Sequence, residues 1–84
     1  MEFEELATMI ADVMNIPKEK IRRESTFEEL GADSLDIFQI MIGVEESLGI
    51  QVDPSQAEKL RTVEDVLAMT RRMAGRHGMP GGEN

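Results

Sequence analysis

Apolar residues in the N-terminal stretch recur at helical intervals. Phe3, Leu6, Ala7, Ile10, Val13 and Met14 share one face of a helix expected from about Glu2 to Met14. Asn15 tolerates the left-handed backbone that closes a helix, and Pro17 restrains the residue before it, so the helix stops there. A long connection from Ile16 to Asp33 must be tied down by its own apolar residues, and Ile16, Ile21, Phe27 and Leu30 are the expected core anchors. A second helix is predicted to begin at Asp33 or Ser34 and to end near Leu48, with Gly49 as its terminator. Asp53-Pro54-Ser55-Gln56 combines an N-cap, a proline at the first helical position and a glutamine at the third, which opens a short helix. Thr62-Val63-Glu64-Asp65 is a capping box for a last helix with Val63, Val66, Leu67, Thr70, Met73 and Ala74 on its inner face. The pattern gives out there. Gly75 to Asn84 is rich in glycine and is expected to be a flexible tail, leaving residues 1–74 as a single domain.

The second helix carries two apolar stripes. At about 100° per residue with Ile37 at zero, Ile37, Ile40, Met41, Val44 and Leu48 fall within about 60° and form a core face. Leu35, Phe38 and Ile42 fall between about 100° and 160°, on the far side. Glu45 and Glu46 flank them on one edge, Asp36 and Gln39 on the other. Such a stripe is either buried by a further element or left open to a partner. The first and last helices each have one apolar face, which the first stripe occupies, so the open alternative is favoured. Three large side chains held in water forgo roughly 1.5 to 3 kcal/mol each of possible burial. Acids around an apolar centre match the polar rim of a docking site.

Charge sharpens the picture. The chain has 84 residues and a net charge of −8, which argues against nucleic acid as a partner because phosphate binding needs clustered cations. From Glu24 through Glu58 no Lys or Arg occurs among the acids Glu24, Glu28, Glu29, Asp33, Asp36, Glu45, Glu46, Asp53 and Glu58. A one-signed field of this kind can steer basic partners; composition by itself favours the alternative, a solvated acidic face kept for solubility. Cysteine is absent, which excludes disulfides, thiolate metal sites and protein thiol redox chemistry, and is compatible with the cytoplasm. No apolar run approaches the roughly 20 residues of a membrane span, and the acidic start Met1 to Glu5 lacks the basic region of a signal peptide. A soluble, unprocessed, monomeric cytoplasmic protein without membrane insertion is therefore expected.

An enzyme is not expected. Ser34 has no histidine nearby in sequence to act as a base, and the one histidine, His77, lies in the predicted tail with no second histidine or any cysteine to make a metal site. The acids lack the alternating ligands and central glycine of a calcium-binding helical hand. Ser34 itself sits at the predicted start of the second helix, where unpaired N–H groups and the helix dipole favour an anion. Serine is also a preferred capping residue, and position alone leaves both roles open.

The surrounding residues separate them. Gly31-Ala32-Asp33-Ser34-Leu35-Asp36 resembles the attachment motif of acyl carrier proteins, in which the serine after aspartate carries 4′-phosphopantetheine. The likeness extends through Phe27-Glu28-Glu29-Leu30, through Glu45 to Ile50 and through Ala57 to Val66, so it covers nearly all the chain except the tail. The resemblance implies an all-α four-helix bundle with three longer helices and a short third one. It implies that a phosphopantetheinyl transferase uses coenzyme A and a metal ion to modify Ser34. Acyl groups would then ride as thioesters on the arm, presented to acyl transferases, ketoacyl synthases or acyl-activating enzymes of fatty-acid, polyketide or related lipid biosynthesis. A thiol on the arm reconciles thioester chemistry with a cysteine-free chain.

Asp33 before the serine resembles fatty-acid and polyketide carriers more than peptidyl carriers. By the same resemblance Leu35, Phe38 and Ile42 are apolar partner contacts, and Asp33, Asp36, Glu45 and Glu46 face basic residues of partner enzymes, with Gln39 among them. Four positions depart from housekeeping fatty-acid carriers: Gln39 stands where Glu is typical, Phe38 where Val, Ile37 where Thr, and Gly43 where Ala is common. They suggest a specialised carrier. Gly43 in mid-helix costs about 1 kcal/mol relative to Ala, and serves close partner approach or flexing unless it is simply neutral. Seven methionines, among them Met9, Met14, Met41, Met69 and Met73, make either an adaptable interior that opens for an acyl chain or ordinary core filling. The alternative from another class is a small acidic helical adaptor that uses the same face without a prosthetic group.

Overall fold

The N-terminal helix α1 spans Phe3–Met14 and buries Leu6, Ala7 and Ile10, three of the six residues on its predicted face. Its capping box is made of two glutamates: Glu2 N–H donates to Glu5 Oε1 at 3.0 Å, and the Glu2 side chain accepts from the Glu5 amide. Asn15 closes it with φ 59°, the left-handed conformation expected there. The computed structural model describes residues 1–78, with side chains through Met73. Within them lie three further helices, α2 at Ser34–Leu48, α3 at Pro54–Ala57 and α4 at Val63–Gly78, which is the predicted all-α bundle of three longer helices and one short one. Among the described residues the β-structure amounts to one isolated bridge, Thr26 to Thr62.

That bridge marks how the long α1–α2 connection is held. Ile21 and Phe27 are buried as expected, while Ile16 and Leu30 are half-buried against the core. A 3₁₀ turn at Lys18–Lys20, not foreseen from the pattern, starts the connection. Further along, its carbonyls cap α4: Val63 N–H donates to the Ser25 carbonyl at 3.0 Å and Glu64 N–H to that of Arg23 at 2.8 Å. The expected box supplies the next amide, with Asp65 N–H on Thr62 Oγ1 at 3.0 Å and Thr62 N–H on Asp65 Oδ2 at 3.1 Å. A helix start this well satisfied has no need of water. Arg23 completes the junction, lying 5.3 Å from the centre of the Phe3 ring and donating to Glu64 at 3.1 Å, while Arg71 reaches the same carboxylate at 2.8 Å.

Leu6, Ile10, Ile40, Val44, Val63, Val66 and Leu67 fill the centre. Thr70 is buried with them and donates its hydroxyl to the Leu67 carbonyl at 2.8 Å. The inner face of α4 is wider than its periodicity predicts: Met69, one of the methionines expected in the interior, is buried about 100° off the centre of the predicted face, on the side toward the α3 segment. The last helix also runs to Gly78 rather than stopping at Ala74, since extending a helix already anchored costs no new nucleus. The tail expected at residues 75–84 thus overlaps α4 at 75–78, and the remainder lies outside the described residues.

Gly43 faces inward. A Cβ built there would stand 2.9 Å from Met9 Sδ and 3.3 Å from Met9 Cγ, so the missing side chain admits Met9 of α1. Neither a partner nor the flexing of α2 is needed to account for this glycine.

Candidate functional site

The start of α2 is built by its neighbours. Gly31 takes φ +83°, and a Cβ there would meet nothing within 4 Å, so backbone conformation rather than space favours glycine at this turn. Asp33 is the cap: Asp36 N–H donates to Asp33 Oδ1 at 2.9 Å, and Asp33 N–H donates to Asp36 Oδ2 at 3.1 Å. Ser34 is therefore the first helical residue and not the cap. Its side chain is exposed and makes no hydrogen bond among the described residues, and the amides of Ser34 and Leu35 are likewise without a backbone or side-chain acceptor there. An exposed hydroxyl beside two free N–H groups at a helix N-terminus is chemically suited to carry a phosphate ester.

A groove opens next to that hydroxyl. It has a volume of about 440 Å³ and runs between α2 and the α3 segment, with Ser34 at its edge and Ile37, Met41, Ile42, Val52, Ala57 and Leu60 among the apolar residues lining it. Two of the three residues assigned to a second stripe, Phe38 and Ile42, belong to its wall. Leu35 is 64% exposed, Phe38 60% and Ile42 37%. The polar residues predicted around the stripe are placed unequally. Asp33 and Asp36 are occupied with each other's amides, Gln39 and Glu46 are exposed, and Glu45 is half-buried with Oε2 accepting the Val52 N–H at 2.8 Å.

Among the described residues three carboxyls are held below their ordinary values, and all lie at helix starts outside the Ser34 motif. Asp53 is lowered first by the Ser55 amide and then by the Ser55 hydroxyl. Glu64 is lowered first by Arg71 and then by Arg23, and Asp65 by the amides of Arg61 and Thr62. The described residues include no cluster of side chains able to hold a metal ion, and no helix among them is long and apolar enough to cross a membrane.

Known proteins decide between the two readings left open by the sequence. Residues 4–70 match the family model described as phosphopantetheine attachment site. The chain is 40% identical over 65 residues to an acyl carrier protein of Thermosynechococcus vestitus, an alignment covering 76% of this chain and 80% of that protein. It is 41% identical over 66 residues to one from Clostridium perfringens and 36% identical over 66 to one from Wolinella succinogenes, covering 77% of this chain and 87% of each relative. This chain belongs to the acyl carrier protein family. It is a carrier of acyl groups on 4′-phosphopantetheine and not an enzyme, and the adaptor without a prosthetic group falls away. Like acyl carrier proteins generally, it works with a phosphopantetheinyl transferase and with synthases and transferases.

The wall of the groove supplied by Val52, Pro54, Ala57 and Leu60 escaped sequence reasoning. The i, i+3 spacing of Ala57 and Leu60 beside a proline-opened helix was the signal available for it.

Proposed function

We propose that Ser34 bears the arm, that the groove between α2 and α3 shelters the front of the acyl chain, and that the exposed stripe is where partner enzymes dock. The observation that carries this is the Ser34 hydroxyl: it is left free by the Asp33–Asp36 box and stands at the edge of an apolar groove. When bound, 4′-phosphopantetheine supplies the thiol on which acyl groups are held. Ser34 Oγ would hold the group as its phosphate ester, and the free Ser34 and Leu35 amides would offer N–H donors to its negative charge. Ile37, Met41 and Leu60 keep water from a chain lying in the groove. Leu35, Phe38 and Ile42 present the apolar centre of the docking face, with Asp33, Asp36, Gln39, Glu45 and Glu46 around it. Basic, apolar-pocketed acyl transferases, ketoacyl synthases or acyl-activating enzymes fit such a face, in the cytoplasm.

Specialisation is part of the same proposal. Of the four departures from housekeeping carriers, Gly43 is accounted for by Met9, whereas Ile37, Phe38 and Gln39 lie on the groove or the docking face. Those three support service to a particular synthase. Mass spectrometry of protein purified from its own host is the direct test: a gain of about 340 Da is expected on the peptide containing Ser34. Ser34→Ala abolishes that gain and all acyl loading while circular dichroism stays helical, because Asp33 holds the cap. Modification of another residue, or unfolding of the variant, would overturn the assignment.

A further inference from the structure

Helical periodicity puts Glu45 on the rim of the docking face, yet the structure gives it a second attachment. Its Oε2 accepts the Val52 N–H at 2.8 Å, and its main-chain carbonyl accepts those of Gly49 and Ile50 at 2.8 and 3.1 Å. One residue thus ties three amides of the segment that leads from α2 into α3. The carbonyl bonds are the usual closure of a helix ended by a left-handed glycine. The carboxylate bond is the additional one, and it is charge-assisted and half-buried.

What it holds is otherwise loosely held. The short helix α3 contributes no buried residue of its own. Its contact with the core comes from Val52, Ala57 and Leu60, which are half-buried, and all three line the groove beside Ser34. Val52 immediately precedes Asp53, whose carboxylate caps α3 by accepting the Ser55 N–H at 3.0 Å. Fixing the Val52 amide therefore fixes where α3 begins. Glu45 borders the groove as well.

We infer that Glu45 is a positioning residue whose carboxylate latches α3 against α2 and sets how readily the groove opens for an acyl chain. The cargo half of this inference rests on the proposed use of the groove; the latch itself does not. Glu46, next along the helix, is exposed and makes no such bond among the described residues, so it serves as the control.

Amide hydrogen exchange on the unmodified full chain reads the latch without the arm. Glu45→Ala is expected to speed exchange at Val52, Ala57 and Glu58 about tenfold or more while the centres of α1 and α4 are unchanged. Glu45→Gln, whose side-chain carbonyl still accepts, changes less, and Glu46→Ala behaves as wild type. Unchanged exchange at Val52 and α3, or uniform acceleration in all helices, overturns the latch. On protein carrying an octanoyl thioester, hydroxylamine then cleaves the thioester to a hydroxamate and free thiol. That cleavage is expected to run at least about threefold faster in Glu45→Ala than in wild type or Glu46→Ala. Equal rates with altered exchange would overturn the role in cargo access. Failure of Ser34 to accept the arm would overturn the carrier proposal and that role together, leaving the exchange pattern to decide the latch.

Discussion

The start of α4 and the surroundings of α3 are built on opposite terms. Around the start of α4 every first-turn amide has a protein acceptor, a charged network ties Arg23, Glu64 and Arg71, and Val63, Val66 and Leu67 are fully buried. Around α3 the helix buries nothing of its own, a groove stays open, and Leu35 and Phe38 face water. The first region holds the fold together, and the second is the one proposed to receive cargo and partners. Local stability is uneven where binding requires a surface able to move.

Truncations on the two sides should therefore behave oppositely. Leu67→Ala, on the closed side, is expected to lose about 2 to 5 kcal/mol in urea unfolding, enough to threaten so small a domain. Phe38→Ala should cost less than about 1 kcal/mol of stability yet more than about 1 kcal/mol of docking to a phosphopantetheinyl transferase or ketoacyl synthase, measured by calorimetry. Strong destabilisation by Phe38→Ala with unchanged binding would erase the contrast.

Acid should weaken the closed region through its paired carboxylates. Glu64 is held below its ordinary value by Arg71 and Arg23, and Asp65 by the amides of Arg61 and Thr62, so the folded state binds these protons less readily than the unfolded chain. Their contribution is complete above the ordinary carboxyl range near about pH 4 and is lost as pH falls through the folded values. Urea midpoints at pH 7, 5 and 3 are expected to drop mainly over the last interval, and Glu64→Gln should flatten that drop. A fall already complete by pH 5 would point to other groups.

The partner face yields a smaller effect. Gln39→Glu restores a charge on an exposed edge, where pairs are worth about 0.2 to 1 kcal/mol, so turnover with a housekeeping ketoacyl synthase should rise a few-fold, more at low salt than at high. If the unaltered chain already supports full elongation, or the gain ignores salt, Gln39 does not mark a specialised carrier.

Smallest of all is the change at Gly43. Alanine there gains up to about 1 kcal/mol of helix propensity but meets Met9, so the single substitution should be near neutral. In a Met9→Ala background it should become stabilising. Equal effects in both backgrounds would mean that Met9 does not constrain this site.

These contrasts explain what was legible in the sequence. Gly49, Asp53 and Thr62 act within a few residues of themselves, so their capping roles could be read along the chain. The outer stripe was legible because α2 is regular for fifteen residues. Met9 against Gly43, Glu45 on Val52, and the loop carbonyls on Val63 and Glu64 depend on how the chain folds back on itself, and no local pattern encodes them. Ser34 was the intermediate case, since position offered capping and esterification alike until Asp33 proved to be the cap.

The placement of that cap has a thermodynamic corollary. Because helix initiation uses the Asp33 carboxylate, esterifying the neighbouring serine oxygen removes no hydrogen bond from the native state. On the proposed attachment at Ser34, priming costs no native contact, and the anion beside the free Ser34 and Leu35 amides should raise the unfolding temperature modestly rather than lower it. A cell could hold a reservoir of unprimed chains that are already in the shape the priming enzyme must recognise.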